Sequence, residues 1–328
     1  MVKRAAKRTE RKDAMQDGVT PAAGAGGPTP AQERQAVRGF LFAFSAYFIW
    51  GLLPFYMRAL DHVPPLEIVA HRIAWSVPVA GIVLLALGRT GDIAVALRSP
   101  RTILMAALTA AIITVNWGIY IWAISVDRTV ETALGYYINP LVTVLLGAVL
   151  LGERLDRLQI VAVALAATAV VVLTVVAGGL PWVSLVLAFS FAAYGYLRKT
   201  LPIGPSQGFF LEVLILSVPS LAYILWLETT GQGHFLTDGG GNVVLLMLSG
   251  PLTAIPLILY AFGAKMLRIS TIGIMQYIAP TMIALIAVFA FGEPFGVDRM
   301  IAFGLIVLAL VLYSWSILFR SRRADKSE

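Results

Sequence analysis

The chain has 328 residues, of which 59 % are apolar or aromatic (AVILMFWYC), 13 % are charged and none is cysteine. Counting glycine in place of tyrosine gives roughly 64 % apolar residues, against ~45 to 50 % in soluble domains. With a mean hydropathy of +0.82, a water-facing globule of this size would lack the polar cover it needs, so lipid must supply the missing environment. The absence of cysteine excludes disulfides, thiolate metal sites and cysteine nucleophiles.

The first 38 residues carry eight Lys or Arg (Lys3, Arg4, Lys7, Arg8, Arg11, Lys12, Arg34, Arg38) around PAAGAGGPTPA, Pro21 to Ala31. Without apolar periodicity this arm has nothing to offset the entropy of ordering, and it is expected to be disordered. The next run, Gly39 to Tyr56, is long enough to span a bilayer, and no small-residue cleavage region follows it. It therefore reads as a membrane helix rather than a signal peptide. There are ten such runs in all, near 39–57, 66–87, 103–125, 130–151, 157–177, 181–197, 208–227, 243–264, 270–291 and 298–319. They are continuously apolar and about twice as long as a barrel strand, which makes them helices. Connections are short, the longest being about fifteen residues from Glu228 to Asn242, and leave no room for a soluble domain.

Charge sets the orientation. With the N-terminus in the cytoplasm, the inner segments hold 21 of the 25 Lys and Arg, and the outer segments hold three, Arg58, Arg128 and Arg299. Arg72 lies inside a span. This positive-inside asymmetry places both ends in the cytoplasm. It also accounts for the net charge of +7 without nucleic acid.

An internal repeat fixes the architecture. Tyr137-Ile138-Asn139-Pro140 recurs as Tyr277-Ile278-Ala279-Pro280 at an offset of 140, as do Gly152-Glu153 with Gly292-Glu293, Tyr120 with Tyr260 and Arg128 with Arg268. Ser76-Val77-Pro78 matches Ser217-Val218-Pro219 at 141, and Ala43-Phe44-Ser45 matches Ala188-Phe189-Ser190 at 145. The expected fold is an all-α membrane protein of ten transmembrane helices in two five-helix repeats, 39–178 and 179–320, between the arm 1–38 and a cytoplasmic tail 321–328. An odd number of spans inverts the second copy. Inverted repeats are built for alternating access around a central site.

Several motifs point further: Ala46-Tyr47-Phe48-Ile49-Trp50-Gly51, Glu67-Ile68 with His71-Arg72-Ile73 and Trp75-Ser76, and Asn116-Trp117 with Tyr120-Ile121-Trp122-Ala123. Others are Leu134-Gly135-Tyr136-Tyr137-Ile138-Asn139-Pro140-Leu141, Leu151-Gly152-Glu153-Arg154 and Gln276-Tyr277-Ile278-Ala279-Pro280-Thr281. Together, over about residues 39 to 320, they resemble the RarD branch of the EamA group within the drug/metabolite transporter superfamily. The resemblance implies a bacterial inner-membrane permease with ten spans and a name tied to chloramphenicol sensitivity. It implies no particular physiological substrate.

Enzyme signatures are absent: no His-Glu-x-x-His, Asp-rich prenyl-diphosphate motif, Gly-rich phosphate loop or Gly-x-Ser-x-Gly. No cofactor or metal is expected. Intramembrane polar groups are the functional candidates, because each costs free energy in lipid. On span 4, Thr132, Tyr136, Asn139 and Thr143 share one face, interrupted by Pro140. On span 3, Asn116 and Tyr120 share a face. Asn139 serves either a cavity or an interhelical hydrogen bond. The aromatics, Trp50, Trp117 and Trp122 included, suit either solute contact or the core, and Trp182 and Trp226 fit the interfacial belt. His71 and Arg72 lie several residues inside span 2, where substrate binding and snorkelling are both open. Glu212, at offset 141 from His71, either pairs with Arg198 or Lys199 or exchanges protons, as His71 could. Glu153 and Glu293 are expected to serve nearby Arg or free helix ends.

The sequence thus reads as a carrier that moves a small amphipathic organic solute, a metabolite or drug, outward by alternating access. A passive channel or lipid-precursor flippase is the alternative. Candidate solute contacts are Tyr47, Trp50, His71, Arg72, Asn116, Tyr120, Tyr136, Asn139, Tyr194 and Gln276; Pro140 and Pro280 are the expected kinks. Arg72 is placed to neutralise a carboxylate. The expected partners are the solute and the lipid bilayer, not nucleic acid, and a homodimer is compatible with this plan.

Overall fold

The computed structural model describes residues 30–151, 155–176, 179–267, 271–272 and 275–324. Among these residues the regular structure is helical throughout: α1 (Pro30–Arg58), α2 (Pro65–Ala86), α3 (Pro100–Ser125), α4 (Thr129–Leu151), α5 (Arg157–Val176), α6 (Trp182–Thr200), α7 (Pro205–Thr229), α8 (Gly240–Met266), α9 (Ile278–Leu285) and α10 (Val297–Ala324). A seven-residue helix, Gly91–Leu97, lies between α2 and α3. Among the described residues, eight helices are long and apolar enough to cross a membrane. The shorter apolar stretches Trp182–Arg198 and Ile278–Ala290 stand where the sixth and ninth runs were expected.

Helix starts follow local chemistry. Pro65 and Pro100 open α2 and α3, where a missing N–H costs nothing. The Ser99 hydroxyl also accepts from the Thr102 N–H at 3.3 Å. One expectation needs correcting: α1 begins at Pro30, so residues 30–38, expected to be part of a disordered arm, are helical. A polar segment continuing an existing helix avoids the cost of nucleation, and Arg34 and Arg38 keep their side chains exposed. The rest of the arm, Glu153, Arg268 and the tail beyond 324 lie outside the described residues.

The two repeat-related prolines behave differently. α4 continues through Pro140, whereas Pro280 is the third residue of α9, after a turn at Gln276 and Tyr277. In a first turn the missing N–H is no loss, so Pro280 marks a fresh helix start, and Pro140 leaves the Tyr136 carbonyl without its helical partner. α9 closes in a π turn, Ile286–Ala290. Gly292, at φ +69°, turns the chain out of it.

Packing links distant parts of the chain. α1 lies on α8 and α9, α6 on α3 and α4, α2 on α7 and α8, and α3 on α7; α4 also meets α9, and α5 meets α10. Several contacts depend on glycine, among them α4 with α6 and α1 with α9. A Cβ at Gly135 of α4 would sit 2.8 Å from the Ser184 carbonyl oxygen of α6, and one at Gly51 of α1 would sit 2.7 Å from Met282 Sδ of α9. One core, with Leu60, Ile68, Ile73, Ile121 and Leu187 fully buried, draws on α1, α2, α3 and α6 and surrounds the polar residues described next.

Candidate solute-binding site

Arg72 is the most buried Lys or Arg among the described residues. Its residue is 5 % exposed, and its Nε–H donates to Thr253 Oγ1 of α8 at 2.7 Å. Its guanidinium carbon lies 4.4 Å from the Trp117 ring centroid on α3. Tyr56, Tyr120 and Tyr136 pack into the same core as Trp117. The site is therefore assembled by α1, α2, α3, α4 and α8. Thr253 presents an acceptor because its own hydroxyl donates to the Ser249 carbonyl at 2.8 Å. Ser76, one turn on from Arg72, donates to the Arg72 carbonyl at 2.7 Å.

Aromatic rings extend this centre. Tyr120 and Tyr136 stand 5.8 Å apart, and Tyr136 meets Phe191 of α6 edge-on at 6.0 Å. Tyr47, Trp50 and Tyr260 form a second group on α1 and α8, with centroid separations of 5.5 to 5.9 Å. Trp50 packs into both the Arg72 core and this group. The Tyr120 hydroxyl is buried without a hydrogen-bond partner, as is Asn139 Oδ1. Asn139 lies about one turn from Tyr136 on nearly the same face.

Other candidates are committed elsewhere. The Asn116 amide donates to the Leu187 carbonyl at 3.1 Å and to Ser190 Oγ at 2.9 Å, and its Oδ1 accepts from the Tyr136 hydroxyl at 3.3 Å. It thus ties α3, α4 and α6 together. The face that α4 turns to α9 carries Tyr137, which stacks on Tyr277 at 6.0 Å and shares a hydrogen bond with the Thr281 hydroxyl. Two residues along a helix are ~200° apart, so this contact lies away from Asn139. Gln276 is half-buried at the turn before α9. Thr132 donates back to the Thr129 carbonyl at 2.8 Å.

Tyr194 belongs to a separate carboxylate cluster. Glu212 of α7, 2 % exposed, accepts from Thr109 Oγ1 at 2.7 Å and Arg198 at 3.2 Å through Oε1, and from the Tyr194 hydroxyl at 3.1 Å through Oε2. This is the Arg198 pairing open from the sequence. The imidazole of His71 instead stacks on Phe235 at 4.7 Å, and neither ring nitrogen has a partner. Glu293, beyond α9, accepts from the backbone N–H groups of Thr129 and Val130 at 2.7 and 2.9 Å. It serves the free helix end of α4.

Tyr56, Thr253, Thr109 and Phe235 were not among the expected site residues. Thr253 had a weak signal, a hydroxyl one turn after Ser249 in an otherwise apolar stretch, and nothing local distinguishes the other three.

Comparison with known proteins shows the family. Residues 37–175 match the model of the EamA-like transporter family. The protein RarD of Streptomyces exfoliatus is 44 % identical over 89 % of this chain and 93 % of its own length. The uncharacterized transporter YojE of Bacillus subtilis is 40 % identical over 90 % of this chain and 99 % of its own. The chloramphenicol-sensitive protein RarD of Pseudomonas aeruginosa is 33 % identical over 85 % of this chain and 94 % of its own. A solved crystal structure, 22 % identical, superposes with a TM-score of 0.55 over 88 % of this chain and 98 % of its own, and so shares the fold. The chain is a multi-pass membrane transporter and belongs to the RarD branch of the EamA-like family.

Proposed function

We propose that this transporter exports a small amphipathic organic solute across the bacterial plasma membrane, by rocking two inverted five-helix halves about the Arg72 centre. The observation that carries the reading is the pattern of helix contacts. Moving every helix five places along turns the pair α4 and α6 into α9 and α1, α1 and α8 into α6 and α3, and α2 and α8 into α7 and α3. It returns α2 with α7, α4 with α9 and α5 with α10 to themselves. Each of these is a packed pair. Such internal symmetry supports ten spans and a site at the repeat interface.

The connections that the charge count puts outside also meet one another, as segments on one face of the membrane would, and the charge asymmetry makes that face the outer one. Arg58 pairs with Asp127 and lies 4.5 Å from the Phe291 ring centroid, Glu67 holds His234, and Glu293 caps α4. Uptake into proteoliposomes of a panel of amino acids and amphenicols, with and without a pH gradient, tests the reading. At least one solute should accumulate above empty vesicles, and no uptake across the panel would count against carriage.

A lipid-precursor flippase is the second reading. One observation favours it: an apolar groove of about 340 Å³ between α2 and α8, lined by Trp75, Pro78, Val79, Val244, Met247, Leu248 and Pro251. Lipid scrambling in the same vesicles would favour this alternative.

A further inference from the structure

We infer that the buried Arg72 guanidinium and the side chains around it form an anion subsite that takes the carboxylate of an organic monocarboxylate with an apolar or aromatic body. The inference rests on the transporter reading for its biological use, but the subsite itself stands on the geometry around the guanidinium.

The chain treats its arginines unequally. Arg58, Arg128 and Arg198, with side chains 28 %, 31 % and 17 % exposed, are each paired with a carboxylate, Asp127, Glu131 and Glu212 respectively. Arg72 is more buried than any of these, and no carboxylate lies within ion-pair distance of it among the described residues. A guanidinium remains charged in a protein, and an uncompensated buried charge is strongly unfavourable. The Trp117 face offsets part of that cost. The Thr253 hydroxyl takes one of the five N–H donors.

The chemistry of the missing acceptor follows. A carboxylate matches the planar fork of a guanidinium with two parallel hydrogen bonds. The buried, unpartnered Tyr120 hydroxyl adds a neutral donor beside it. One cation suits one negative charge. Arg72 lies within α2 rather than at a helix N-terminus, so it lacks the converging backbone N–H groups that favour phosphate. The walls supplied by Trp117, Tyr120, Tyr136 and Trp50 suit an apolar or aromatic body more than a hydrated inorganic ion.

The test is thermal unfolding of the detergent-purified full chain with acetate, hexanoate, phenylacetate and indole-3-acetate, each against its amide, with chloride and phosphate at matched ionic strength. At least one of the larger carboxylates should raise the midpoint while its amide, acetate, chloride and phosphate do not. Arg72→Lys should weaken the apparent affinity at least tenfold, and Arg72→Gln should abolish the response. Equal stabilisation by acid and amide, by chloride or by phosphate would overturn the proposal. So would silence across the carboxylates, or a response that survives in Arg72→Gln. Should Arg72→Gln fail to fold, the acid–amide comparison on the parent chain still decides. Arg72-dependent binding without carboxylate uptake by vesicles would leave the subsite standing and overturn carriage. Parent-like uptake of carboxylates by Arg72→Gln would do the reverse.

Discussion

Glu67 of α2 holds His234 of the α7–α8 connection twice: its Oε1 accepts from the backbone N–H, and its Oε2 from ring Nδ1–H, both at 2.8 Å. Asn242 reinforces the hold, donating to the His234 carbonyl at 2.6 Å while its Oδ1 accepts from His62 Nε2–H at 3.2 Å. The next residue, Phe235, is thereby kept against His71 and Trp75. Hydrogen bonds to a charged group contribute about 1.5 to 3 kcal/mol each. Glu67→Ala should therefore speed amide exchange across residues 231–239 about tenfold or more, while the middle of α3 exchanges as in the parent. Unchanged protection would show that the carboxylate does not hold the connection.

Glu293 acts by a different route. It satisfies two N–H groups at the start of α4 that no intrahelical carbonyl can reach. Glu293→Ala strands both and should cost about 2 kcal/mol or more, seen as a lower unfolding midpoint in detergent. Glu293→Gln keeps one acceptor oxygen and should fall in between. Equal midpoints for all three chains would remove the cap from the account.

For Glu212 the question is whether three donors make it a fixed tether or a proton-coupling group. If it couples, vesicle transport by Glu212→Gln should lose its response to an imposed pH gradient, with uptake at zero gradient reduced severalfold at most. A pH response like the parent's assigns Glu212 to holding α3, α6 and α7 together.

The proposed orientation can be checked without knowing the solute. No atom lies within 4 Å of a Cβ built at Gly91, Gly179 or Gly240, so cysteine fits at each. In intact cells an impermeant thiol reagent should label Gly179→Cys and Gly240→Cys and leave Gly91→Cys untouched. The reverse pattern would refute the orientation, and the same response at Gly91→Cys and Gly240→Cys, which occupy equivalent connections of the two halves, would refute the inversion of the second half.

The apolar runs were legible because length and flanking charge are local signals, and a bilayer enforces both. The start of α1 was not, because residues 30–38 resemble the polar arm and become helical only as the extension of a span. Arg72 was legible as a charge where charge is costly. Its surroundings were not: Thr253 is 181 residues away, and nothing around Leu252-Thr253-Ala254 announces a partner. Asn116 shows the opposite limit. The sequence displays a buried amide, but not that Leu187, Ser190 and Tyr136 occupy it.

The glycine contacts at Gly135 and Gly51 close the interfaces α4 with α6 and α1 with α9, which exchange places under the proposed twofold. Neither leaves room for a methyl group. Gly135 faces a backbone carbonyl, that of Ser184, and Gly51 faces Met282 at its Cβ, 2.8 Å away, as well as at Sδ, and no side-chain rotation moves a Cβ. Both interfaces join one half of the molecule to the other, so the halves meet across two hard stops. A single methyl wedged at either glycine would jam a joint of the carrier.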